Sequence, residues 1–421
     1  MTNAAILAAS ALLLFAYLLD ILGRRYRLPS VVLLIATGLV LRHALDRLGF
    51  VFEGADAFVP IVGTLGLILI VLEGALDLEV SAERTPVIVK AAASAAAGVV
   101  LGSLAFAAFF HFGLGFAPYA SALAAVPFAV ISSAVAIPSA TGLAPAPREF
   151  VIYESSLSDI VGVLVFYAAL ASEGNAAAFA LDLVGGGALS VVVALAASLG
   201  LYAIVNKAEG HVRFLPMLGG LVCLYAIGKA LHLSPLVFVL VAGLVIGNPH
   251  LLDRWPRLKR LHGPDYDRTV REFRGIVAEL TFATKSLFFL LLGYWTDVAA
   301  LLEPLAWGVA AACVGFVYAS RRGMLRALRV GDAASLTWIA PRGLITVLLF
   351  LAANEDGRLE KFPFGALMLT VLGTGSLVAL AHRERAERRN ALVTAHDGRY
   401  ASSLPRPDGN RAPAAGDKAP G

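Results

Sequence analysis

Residues 148–172 read REFVIYESSLSDIVGVLVFYAALAS. The stretch has the length and apolar content of a bilayer-crossing helix, yet its first half holds Glu154 and Asp159 with Ser155, Ser156 and Ser158 among them. An ionised acid at membrane depth costs several kcal/mol unless it is paired or hydrated, so two of them require a reason. At about 100° per residue, Ser155 and Asp159 share one helix face, with Glu154 and Ser158 on the adjacent one. Oxygen ligands of this kind suit hard cations, and a carboxylate also accepts a proton. A polar cluster satisfied only by neighbouring helices would need fewer acids.

The rest of the chain places this segment in a membrane. Hydrophobic residues make up 58% of the 421 and charged residues 15%, against about 25% charged in soluble domains. A water-soluble fold cannot hide that much apolar surface, whereas a bilayer accepts it. Spans of about 20 apolar residues fall near 3–22, 29–42, 59–78, 86–111, 118–139, 149–172, 180–205, 213–230, 234–248, 273–296, 299–320, 332–353 and 363–381. The fold class expected is therefore an all-α membrane protein of about thirteen transmembrane helices. The first span has its positive charges after the apolar run, at Arg24, Arg25 and Arg27, so it reads as a retained helix and not a cleaved signal peptide. Cys223 and Cys313 lie in apolar runs without metal-ligand spacing and read as small fillers.

Alternate connectors are basic: Arg84 with Lys90, Arg148, Lys207 with Arg213, the arginines and lysine between 254 and 274, Arg321 to Arg329, and HRERAERR at 382–389. Those of opposite phase are poor in base or acidic, with only 43–58 mixed. The positive-inside rule then puts the N-terminus outside and the C-terminus in the cytoplasm. Residues 383–421, charged and then rich in Pro, Gly and Ala, are expected to form a disordered cytoplasmic tail.

Two further spans carry helix breakers. The fifth, SALAAVPFAVISSAVAIPSATGL, holds Pro138 with Ser132 and Ser133, and reads either as a broken ligand segment or as a proline kink. The twelfth, AASLTWIAPRGLITVLLFLAAN, has Pro341, Arg342 and Gly343 mid-span. An arginine at that depth needs an acid partner, and Glu154 is the natural candidate. Lys285 is read in two ways, as a charge balancing the site or as a structural partner of Glu73. Arg321 is a cytoplasmic anchor unless its helix runs further, which would bring it beside the site. The broken fifth and twelfth spans, and the similar ends GLILIVLEGALD and KSLFFLLLGYWTD of the third and tenth, are each seven apart. An odd offset reverses direction, the pattern of inverted repeats in transporters.

These residues together resemble the monovalent cation/proton antiporter superfamily, of the Na⁺/H⁺ exchanger type, over about residues 5–382. Glu154-Ser155-Ser156-Leu157-Ser158-Asp159 looks like the family's Glu-Ser-x-x-Asn-Asp signature, and Ile339-Ala340-Pro341-Arg342-Gly343 like its Leu-Arg-Gly signature. The resemblance implies that Asp159 binds Na⁺, with K⁺ and Li⁺ as alternatives, that Ser155 is a ligand, and that Glu154 and Arg342 form a buried ion pair. It implies two crossed discontinuous helices, a dimerising unit of helices at 3–78 and 180–296, and an ion-transport unit at 86–172 and 299–381. The implied partners are a second copy of the chain and the lipid bilayer, with no nucleic acid. No cofactor is implied beyond the transported ions, and no enzymatic activity. The implied setting is a bacterial inner membrane and pH homeostasis. Ser158 stands where relatives have Asn or a second Asp, and Ser132-Ser133-Ala134 where many have Thr-Asp-Pro. The absence of a second acid at 158 favours one proton per cation.

Two rival readings make different demands on the residues. A transporter or symporter of another small solute on an inverted-repeat fold would suit organic anions only with a more basic pocket. An intramembrane protease would need a second buried Asp, or a buried His beside a Ser, and neither is evident.

Overall fold

The structure, a computed structural model, describes residues 2–26, 28–47, 49, 55–141, 143–207, 214–231, 233–251, 266–354, 357–359 and 361–380. The expected tail at 383–421 and the basic run at 254–265 lie outside the described residues.

A helix lies over each of the thirteen apolar segments, and no strand occurs among the described residues. The order is α1 (Thr2–Tyr26), α2 (Ser30–Arg47), α3 (Ala55–Asp77), α4 (Thr85–Ala108), α5 (Pro118–Ala129), α6 (Ser133–Ser139) and α7 (Pro145–Ala171). There follow α8 (Ala176–Leu181), α9 (Gly187–Lys207), α10 (Phe214–Ala230), α11 (Pro235–Gly247), α12 (Tyr266–Trp295) and α13 (Val298–Leu302). The last are α14 (Pro304–Ala327), α15 (Ala333–Thr337), α16 (Leu344–Ala353) and α17 (Phe364–Leu380). Among the described residues, six helices are long and apolar enough to cross a membrane.

Local chemistry sets many of these boundaries. Pro86, Pro118, Pro145, Pro235 and Pro304 sit in the first turn of α4, α5, α7, α11 and α14, where the missing N–H has no intrahelical acceptor to lose. Asn175 caps α8 by accepting from the Ala177 and Ala178 N–H groups, and Asp297 caps α13 through Ala299. Glycines then permit close helix approach. Gly38 of α2 and Gly293 of α12 face one another's chains, and a Cβ at Gly293 would lie 2.9 Å from the Ile35 carbonyl carbon. α12 packs along α2 and α3, α11 along α3 and α9, and α4 against α5 and α7.

Two spans are interrupted. α5 ends at Ala129, Val130 and Ser132 are extended, and α6 begins at Ser133. This corrects the sequence reading, because Pro138 lies inside α6 and the break precedes it by several residues. The break sits where partners from other helices take up its backbone groups: the Ser132 N–H donates to the Pro341 carbonyl at 2.9 Å, and the Ile131 N–H to Ser158 Oγ at 3.0 Å. The second interruption is at residues 338–343, between α15 and α16, and contains Pro341 and Gly343. A Cβ at Gly343 would stand 2.6 Å from Ser132 Oγ, so glycine lets the two breaks meet.

The Gly38–Gly293 approach has a direct consequence. Gly293→Ala should cost roughly 1–3 kcal/mol, the usual penalty of overpacking, read as a lower unfolding temperature in detergent. An unchanged temperature would contradict the contact.

Candidate ion site where two interrupted helices meet

Glu154, Ser155, Ser156, Ser158 and Asp159 of α7 are all buried, with Asp159 only 4% exposed. Asp159 Oδ2 accepts from both the backbone N–H (3.3 Å) and the hydroxyl of Ser133, the first residue of α6. Its charge therefore faces the positive end of a half-helix. Oδ1 is buried with no hydrogen-bond partner, and no lysine or arginine pairs with Asp159 among the described residues. An oxygen in that state is open to a cation or a proton.

Three serines lie within four residues of it on α7. Ser155, one turn before Asp159, donates to the Val151 carbonyl at 2.8 Å, which leaves its lone pairs available. Ser156, three residues before Asp159, has a buried hydroxyl without a partner. Ser158 is committed to the Ile131 N–H, so it holds the break open. Ser132, also a candidate, contributes its backbone N–H to Pro341 and lies against Gly343.

The expected pair of Glu154 with Arg342 is not formed. Glu154 instead makes a two-pronged ion pair with Arg321 of α14, at 2.8 and 3.0 Å, and accepts from Ser94 of α4. Arg321 also donates to the Leu336 carbonyl at the end of α15 (2.8 Å). α14 continues to Ala327, so Arg321 is held inside it and is 3% exposed. Arg342 is engaged elsewhere: Nε donates to the Phe128 carbonyl at 2.6 Å, with weaker donation to Ala129 (3.4 Å) and to Ala340 (3.1 Å). The Phe128 and Ala129 carbonyls end α5, whose terminal turn has no intrahelical donors left for them. A guanidinium used as a helix cap is not free to hold Glu154. The Arg342 N–H in turn donates to Thr374 of α17 at 2.9 Å.

Ser94 and Thr374 escaped the sequence reading. Ser94 is a lone hydroxyl in an alanine run, and Thr374 sits among glycines in an apolar helix; neither pattern distinguishes a ligand of buried charge from a filler. The outlying candidates Glu73 and Lys285 form no ion pair with each other among the described residues. Glu73 on α3 and Lys285 on α12 are both half-buried, near enough for each to feel the other's charge. Lys285 Nζ also lies 5.9 Å from the Phe282 ring centre. Among the described residues no three His, Cys, Asp or Glu side chains come together, so the donor set suits a single hard monovalent ion better than a transition metal.

The ion pair yields a test. Arg321→Met alone should cost about 3–5 kcal/mol, because it strands the buried Glu154 carboxylate. Adding Glu154→Gln should recover part of that loss in a double-mutant cycle of unfolding temperatures. Strictly additive losses would contradict a coupled pair.

Comparison with known proteins bears on the family and the fold. The sodium/hydrogen exchanger transmembrane family matches residues 10–381. No curated protein sequence matches the chain. Among solved structures, the sodium proton antiporter MjNhaP1 from Methanocaldococcus jannaschii superimposes with a TM-score of 0.69 at 20% identity, covering 90% of this chain and 95% of that one. An electron-microscopy map of the same antiporter gives 0.67 at 19% identity, covering 98% and 100%. At such identity the structural likeness speaks for the fold, while the family match spans nearly the whole chain. The chain belongs to the sodium/hydrogen exchanger family of multi-pass membrane antiporters.

Proposed function

We propose that this antiporter exchanges Na⁺ for H⁺ at the Asp159 carboxylate, one for one, with K⁺ and Li⁺ as the alternative cargoes. The observation that carries the reading is the unpartnered, buried Oδ1 of Asp159 beside an Oδ2 already fixed by Ser133. Burial disfavours the charged carboxylate, and a bound cation favours it, so proton and Na⁺ displace one another. Ser155 and Ser156, four and three residues before Asp159 on α7, supply hydroxyl oxygens for the ion. Hard-cation coordination uses such neutral oxygens beside a single carboxylate.

Stoichiometry follows from counting charge. Glu154 is occupied by Arg321, and position 158 is a serine bonded to backbone. One carboxylate remains to trade, and it is neutralised equally by Na⁺ or by H⁺. The carrier then crosses with the same charge in either loaded state. In this reading thirteen spans cross a bacterial inner membrane, with the N-terminus outside, the C-terminus in the cytoplasm and the halves related as inverted repeats. Helices at 86–172 and 299–381 move against a dimerising unit at 3–78 and 180–296. The homodimer serves pH homeostasis.

Proteoliposomes with an imposed pH gradient test this directly. Wild-type protein should exchange Na⁺ at a rate indifferent to a clamped membrane potential, and Asp159→Asn should abolish exchange while unfolding as one cooperative species. Exchange within a few fold of wild type in that variant would remove Asp159 as the carrier. Dependence on the potential would overturn the one-for-one count.

A further inference from the structure

A cavity of about 390 Å³ lies away from Asp159, between the last two turns of α7, the π-helical turn Asp182–Gly186 that leads into α9, the end of α10 and the start of α11. Its polar lining consists of one acid, Asp182, one base, Lys229, and the side chains of Tyr167, Tyr225, Ser190 and Ser234. Asp182 and Lys229 share the cavity, yet neither forms an ion pair among the described residues. Two opposite charges that remain unpaired across a shared cavity are complementary to a dipolar occupant.

The serines differ in what they leave available. Ser190 Oγ donates to the Gly186 carbonyl at 2.7 Å and accepts from the Ser234 N–H at 3.0 Å. Ser234 Oγ has no partner, although the residue is only 9% exposed. A buried hydroxyl left unsatisfied is unfavourable, so it implies an occupant with polar atoms. π-Helical turns are rare and recur at functional sites.

The surroundings say what kind of occupant. Most of the cavity wall is apolar, and the surface around it carries exposed large side chains: Leu181 at 73%, Val184 at 71% and Leu231 at 54%. In a membrane protein such a rim faces acyl chains. The occupant must therefore be amphiphilic, with an ammonium for Asp182, an anion for Lys229 and an apolar body.

We propose that this cavity binds the headgroup of an aminophospholipid of the phosphatidylethanolamine class, its ammonium on Asp182, its phosphate on Lys229 and an ester or phosphate oxygen on Ser234. The lipid would touch both α7, which carries Asp159, and α10 and α11 behind it. The inference does not rest on the transport reading, since binding is measured without transport.

The full-length protein in detergent is titrated with phosphatidylethanolamine, phosphatidylcholine and phosphatidylglycerol of identical acyl chains, and separately with soluble phosphoethanolamine. Binding is read by thermal unfolding and by native mass spectrometry. Phosphatidylethanolamine should raise the unfolding temperature most, because choline's trimethylammonium donates no N–H and phosphatidylglycerol has no cation. Asp182→Asn should weaken it about tenfold, the scale of one charge-assisted hydrogen bond, and abolish the preference over phosphatidylglycerol. Lys229→Gln should weaken all three lipids alike. Each variant is referred to its own lipid-free unfolding temperature, so altered folding is not mistaken for lost binding. Equal shifts from the three lipids, or a preference that survives in Asp182→Asn, would overturn the site. Soluble phosphoethanolamine acting at the same concentration as the lipid would overturn the lipid as occupant.

Discussion

An interrupted helix inside a bilayer leaves backbone N–H and C=O groups that no water can satisfy. This chain has two such interruptions, and the structure depends on how their loose ends are met. The carbonyls ending α5 take the Arg342 guanidinium, the Ser132 N–H takes the Pro341 carbonyl, and the Ser133 N–H takes Asp159. Each break thus supplies what the other lacks. The arrangement also sorts charge, with the cation at a negative helix end and the acid at a positive one.

The same bonds separate two acids that the sequence presents as neighbours. Glu154 faces a guanidinium squarely and is further bonded to Ser94, so its charge is fixed and contributes to holding α4, α7 and α14 together. Asp159, five residues on, has helix-end donors on one oxygen and nothing on the other. An acid locked to an arginine cannot trade its counter-ion cheaply, whereas one opposed only by a half-helix can. The difference between a structural and a transporting carboxylate lies in that partner.

Much of this was legible in the residues. Apolar length located the long helices of the described residues, and an acid in mid-span marked Asp159, because both follow from the cost of placing polar atoms in hydrocarbon. Pro341 and Gly343 lie within the second interruption, where proline and glycine weaken a helix by their own covalent structure. The first interruption was misplaced because no local residue causes it: Pro138 is tolerated inside α6, and the break falls where Ser158, Pro341 and Arg342 reach the chain from other helices. The partner of Glu154 was misassigned for a similar reason. Arg342 is spent on carbonyls that exist as acceptors only once α5 has ended, and Arg321 becomes available only because α14 runs two turns further than its apolar stretch suggests. Contacts made by tertiary capping leave little trace in local sequence.

The central claim is that one carboxylate holds either Na⁺ or a proton. Titrating Na⁺ into the purified protein in weakly buffered detergent solution, while recording pH, measures this most directly. The account predicts that each bound Na⁺ releases up to one proton, and that Asp159→Asn releases none. Na⁺ binding without proton release at every pH, or undiminished release from the variant, would contradict it.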